Sequence, residues 1–125
     1  MKTIVVIARP NAWQEALTRG EYTQSTITST LAEVGFIHCS TLDQTIAIAN
    51  RHFRNEPELL LVMIDPSKII SPVKFEGALS GRAGLFPHIY GPLNVDAAYK
   101  TVAIEKDENG MFVLPEELNN QSSGA

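Results

Sequence analysis

The segment Glu58–Asp65, ELLLVMID, carries an uninterrupted apolar run between two acidic residues. It is shorter than an ordinary helix and far below the roughly 20 residues that cross a bilayer, so it reads as the central strand of a sheet. Thr3–Ala8 (TIVVIA), a β-branched apolar run, reads as a second buried strand. A chain of 125 residues, 44% hydrophobic, has the material for one core around such strands.

Between the two runs the pattern turns helical. Pro10 suits a first helical turn, Trp13, Ala16 and Leu17 fall at helical spacing, and Gly20 suits a left-handed end, predicting a helix over 10–20 with Trp13 inward. EYTQSTITSTLAEV (Glu21–Val34) is rich in hydroxyl residues, which serve caps and turns better than helix interiors. It is read as irregular, with a helical turn at Ser29–Val34 closed by Gly35. Phe36–Ser40 (FIHCS) is expected as one brief strand. Thr41 and Gln44 match a capping box, and Leu42, Ile46, Ala49 and Phe53 mark the apolar face of a helix that Asn55 and Pro57 break.

After the central strand, Asp65-Pro66-Ser67 is a turn, and Val73 and Phe75 alternate with Lys74 and Glu76 as a half-buried strand. Gly77–Gly84 reads as a glycine-rich loop, and LFPHIYGPL (Leu85–Leu93), with two prolines, as ordered but irregular. Tyr99–Leu114 reads as a hairpin turned at Asn109-Gly110. Helices in the first half and strands in the second predict a single α+β domain over residues 1–115, with two or three helices, followed by a tail over 116–125 of disordered composition.

The formal net charge is -4 with scattered basic residues, which gives no footprint for nucleic acid or an anionic membrane. A single cysteine allows no intrachain disulfide and fits a cytoplasmic setting. No metal site is expected: His38 and Cys39 are strand neighbours pointing to opposite faces, and His52 and His88 are distant in sequence. Cys39 reads as a small buried hydrophobe, and His52, between basic residues, as part of a solvated helix face. No phosphate-cradling glycine motif is present.

What remains are polar groups that a fold could bring to one cleft. Strand alternation puts His38 and Ser40 on one face. His88 and Tyr90 lie on backbone fixed by prolines and a glycine, and Glu76 ends an alternating strand. These residues are candidates for contacts to a small molecule.

Four segments, AWQEALTRGEY, GFIHCSTLDQTIAIANRHFR, LLLVMIDPSKI and FEG…LFPHIYGPLNVDA, together resemble the bacterial domain-of-unknown-function family 952, in order and spacing, from about Thr3 to Ala103. That family is similar to the ADP-ribosyltransferase superfamily. The resemblance implies a split, mostly antiparallel sheet with a cleft that holds NAD in active members, and FIHCS is similar to the HLS-type strand of the RNA 2′-phosphotransferase branch. It implies His38 and Glu76 as catalytic residues, with Glu76 stabilising positive charge on a sugar. His38, Ser40, His88 and Tyr90 are implied as ligand contacts, with Tyr90 stacking on a flat ring. NAD is the candidate cofactor. Many members resemble I-Tyr-His-Leu in the first strand. The corresponding histidine is replaced here by Val6, with Arg9 the nearest polar substitute and a further ligand candidate. The alternative expectation is a non-catalytic binding or protein-interaction module in which the histidines are structural.

Overall fold

The computed structural model describes residues 3–77 and 84–118. In chain order its elements are β1 (Ile4–Ala8), α1 (Pro10–Arg19), β2 (Glu21–Tyr22), α2 (Leu31–Val34), β3 (Ile37–His38), β4 (Ser40–Thr41), α3 (Leu42–His52), β5 (Glu58–Ile64), β6 (Val73–Gly77), β7 (Leu85–Ile89), β8 (Leu93–Asn94) and β9 (Ala98–Glu105). Short 3-10 turns occupy Pro66–Lys68 and Val95–Ala97. The strands form a four-stranded sheet ordered β4-β1-β5-β9, a three-stranded sheet ordered β3-β7-β6, and the small pair β2-β8. Every pairing between named strands is antiparallel. The result is the expected mixture of helices and antiparallel sheet.

β5 is central as its apolar run demands, flanked by β1 and β9. Alternation sends Ile4, Val6, Ala8, Val62 and Ile64 to one face, where they pack with Trp13 and Ala16 of α1, Tyr22, Ile37 and Ile89. Val5, Leu59, Leu61 and Met63 face the other way, against Ala49 of α3, Phe112 and Leu118. The predicted stripe of α3 is the one that packs, since Leu42, Ile46 and Phe53 border this second cluster. Gly20 and Gly35 close α1 and α2 at φ 92° and 102°, in the left-handed region that glycine adopts without a Cβ clash. Gln44 reaches back to the Thr41 amide at 2.9 Å.

Five sequence expectations need correction. FIHCS is two strands in two sheets: β3 pairs with β7, β4 pairs with β1, and Cys39 is the crossing point. LFPHIYGPL is not irregular, because Leu85–Ile89 forms the middle strand of the three-stranded sheet. A central proline is tolerated because the Pro87 carbonyl accepts from the Cys39 amide, beyond the end of β3. An antiparallel residue directs its N–H and C=O to the same side, so the donor proline lacks faces Cys39, and the cost is the one bond that the Cys39 carbonyl would have accepted. Phe75 is 54% exposed, because β6 is the sheet's edge strand and nothing covers that position among the described residues. The hairpin returns through a single Lys106–Phe112 bridge instead of a full strand. At the start of the expected tail, residues 116–118 form a helical turn with Leu118 fully buried and Glu117 paired to Lys100 at 3.1 Å. The remaining tail and most of the glycine-rich loop lie outside the described residues.

Candidate functional site

The antiparallel register sets His38 directly opposite His88. On β7's other flank His88 pairs with Lys74, which places Glu76, two residues along β6, diagonally across on the same face. Phe36 and Tyr90 share that parity. The three-stranded sheet therefore carries its polar and aromatic residues on one face, while Ile37 and Ile89 enter the core on the other. The rings assemble: Phe36 stacks on His88 with centroids 4.2 Å apart, and His38 meets His88 edge-on at 5.4 Å.

Each histidine is held through Nδ1. The His88 Nδ1 lies 2.8 Å from Glu76 Oε1, which also accepts from the Tyr90 hydroxyl at 2.5 Å. The His38 Nδ1 lies 3.0 Å from Ser25 Oγ. Hydrogen bonds from Tyr90, then His88, hold the Glu76 carboxyl below its usual pKa, and the same Glu76 bond pushes the Tyr90 hydroxyl up. Burial, and next the neighbouring His88, push His38 below the ordinary imidazole pKa, while its contact with the Ser25 backbone works in the opposite direction.

His38 and His88 line a cleft of about 400 Å³ together with Ser40, Ser25, Thr26 and Thr28. Apolar walls come from Val5 and Ile7 of β1, Ile48 of α3, Phe53 just past its end, and Phe86. Among the described residues its lining holds neither lysine, arginine, aspartate nor glutamate. Cavities of this size and mixed lining are typical of small-molecule sites.

The predicted residues divide as follows. His38, Ser40 and His88 meet at the cleft; Ser40 is buried and shares a 2.8 Å bond with the Thr45 hydroxyl. Glu76 and Tyr90 stand behind His88 and join the cleft only through it. Instead of offering a free face to a flat ring, Tyr90 packs on Phe36 at 5.2 Å and carries Lys74 Nζ 4.9 Å from its ring centre. Arg9 is not brought to this site. It forms a two-pronged ion pair with Glu56, at 2.8 and 2.9 Å, and borders a separate cleft with residues of α1. Val6 faces the core, whereas its neighbours Val5 and Ile7 line the cleft, so a histidine at position 6 would not reach it in this register. Cys39 is buried, donates weakly to the Ile37 carbonyl at 3.7 Å, and has its thiol pKa driven upward by burial, consistent with a packing role. His52, exposed on α3, reaches the cleft's edge.

Sequence reasoning missed Ser25 and Phe36. Ser25 is buried in the hydroxyl-rich stretch, held by its amide bonding the Ser29 carbonyl at 2.8 Å and its carbonyl accepting from the His38 amide at 3.0 Å. The run of hydroxyls was the available signal, but without the fold nothing tied it to His38, thirteen residues away.

These observations define a small α+β domain with antiparallel sheets and a cleft centred on a cross-strand histidine pair. Residues 7–101 match the model of the family described as protein of unknown function DUF952, and the chain belongs to that family. The crystal structure of protein CC0527 from Caulobacter crescentus is similar, with a TM-score of 0.79 and 26% identity, over 94% of this chain and 98% of that one. Its solution NMR structure matches with a TM-score of 0.72 and 26% identity, over 89% and 91%. No curated protein matches the chain.

Proposed function

We propose that this protein binds a small molecule in the His38–His88 cleft. The observation that carries this reading is the pairing of two histidines, each held through one ring nitrogen, at a cavity that also offers hydroxyls and apolar walls. Side chains anchored by partners behind them are preorganised contacts. The ligand class in view is nucleotide-like or ADP-ribose-like, with an uncharged, flat or hydroxyl-bearing part inside. NAD and ADP-ribose as whole molecules fit poorly: the pyrophosphate they share finds no lysine or arginine among the described lining residues, and Arg9 is committed to Glu56 elsewhere, so the nucleoside-like part is what the cleft would take. Glu76 in this reading acts through His88. An ADP-ribosyltransferase-like reaction is the narrower version of the proposal and requires Glu76 to reach the ligand itself. The buried, lone thiol agrees with a reducing cytoplasm.

A second reading, a non-catalytic module with structural histidines, draws on the near-complete burial of His88 and its stacking on Phe36. Calorimetric titration of the full chain with adenosine, ADP-ribose and NAD separates the two. The binding reading expects saturable binding of at least one, weakened at least about tenfold by His38→Ala while the variant stays folded, a loss of about 1.4 kcal/mol. No heat and no thermal stabilisation from any of the three at millimolar concentration would refute it.

A further inference from the structure

We infer that Glu76 is a positioning residue that places the ring proton of His88 on Nδ1, so that the His88 Nε2 lone pair is presented to the cleft and its ligand is a proton donor. This rests on the reading of the cleft as a ligand site. An ionised carboxylate only accepts hydrogen bonds, and Glu76 is bonded to Nδ1 of His88, so that nitrogen carries the proton. A neutral imidazole has one donor and one acceptor, which leaves Nε2 of His88 as the acceptor. His38 is held differently: its Nδ1 faces the Ser25 hydroxyl, which can donate or accept, and Ser25 is itself fixed by backbone bonds on both sides.

An acceptor on His88 at the cleft suits a ligand that offers an O–H or N–H group. The absence of lysine and arginine from the described lining points the same way, toward an uncharged or cationic ligand and away from an anion. The arrangement also supplies a base. When His88 takes a proton from a ligand hydroxyl, the O–H electron pair stays on the ligand oxygen and the proton bonds Nε2. The positive ring is then faced by the Glu76 carboxylate on its other side.

Long-range proton–nitrogen NMR of the full chain at about pH 8, well above the ordinary imidazole pKa, reads the tautomer without any ligand. The expected spectrum has His88 protonated at Nδ1. Glu76→Ala should shift His88 toward the Nε2–H form, and Glu76→Gln, whose amide oxygen still accepts, should restore it. A wild-type spectrum with His88 protonated at Nε2 overturns the inference even if no variant folds. Inorganic phosphate is the second probe: at that pH it should leave the His88 ring unmoved, and a saturable shift of that ring would overturn the donor-ligand assignment. Since the tautomer is read in the free protein, its failure is distinct from a failure to find any ligand.

Discussion

Replacing His88 by alanine tests the packing on which the site depends. The ring is 2% exposed, lies in the middle strand of its sheet, stacks on Phe36 and meets His38 edge-on. Burying an aromatic side chain contributes about 1.5–3 kcal/mol, and truncation adds a cavity cost where the neighbours cannot collapse. The bond to Glu76 adds little to this figure, because that carboxylate recovers water when its partner is removed. Phe36 and Tyr90 line the gap and can partly fill it, so the expected loss is about 2 kcal/mol, at the lower end for an aromatic truncation. With about 2.1 cal/mol/K per residue of unfolding entropy, a chain of this length should lose roughly 8 °C in melting temperature. Urea unfolding with an unchanged slope is the companion measurement. His38→Ala, at a half-buried position, should cost about half as much. A loss below about 0.5 kcal/mol for His88→Ala would refute the stacked, central placement of the ring.

Two further outcomes follow from other parts of the chain. The pKa of His38 is lowered from its ordinary value of 6.5, so its neutral form is favoured by folding. Stability from this group is complete above pH 6.5 and is lost as pH falls from there through the folded-state pKa. His38→Asn should flatten the stability–pH curve just below pH 6.5, and identical curves for the two proteins would contradict the assignment. Leu118 is fully buried against Phe112 and the sheet, so Leu118→Ala should cost about 2–3 kcal/mol in urea unfolding, whereas a change near zero would mean that residues 116–118 do not dock.

Much of the fold was legible because it follows from local rules. The unbroken apolar run of Glu58–Ile64 could satisfy itself only as a central strand, and the Gly20, Gly35 and Thr41–Gln44 signals act within one helical turn of where they stand. Long-range pairing was the hidden part. Pro87 argues locally against a central strand, and its tolerance depends on its missing donor facing only Cys39, in a segment far earlier in the chain. The same distance hid the site's supports. His38, Ser40 and His88 could be selected by residue type and alternation, but the register that sets His38 opposite His88 also decides that Glu76 reaches His88 while Arg9 does not.

Val6 shows why a one-residue parity matters for function. A strand sends successive side chains to opposite faces, so the sixth residue joins Trp13 and Ile37 in the core while the fifth and seventh wall the cleft. A histidine at position 6 would enter the core in this register, and only a slip of β1 against β5 would bring it to the ligand side. Such a slip would move Val5 and Ile7 from the second apolar cluster to the first and shift every pairing of β1 with the central strand. The polar chemistry of this protein is therefore concentrated where the chain crosses between sheets at Cys39. There β3 delivers His38 and β4 delivers Ser40 to the same cleft, and the buried thiol between them holds the crossing in the core.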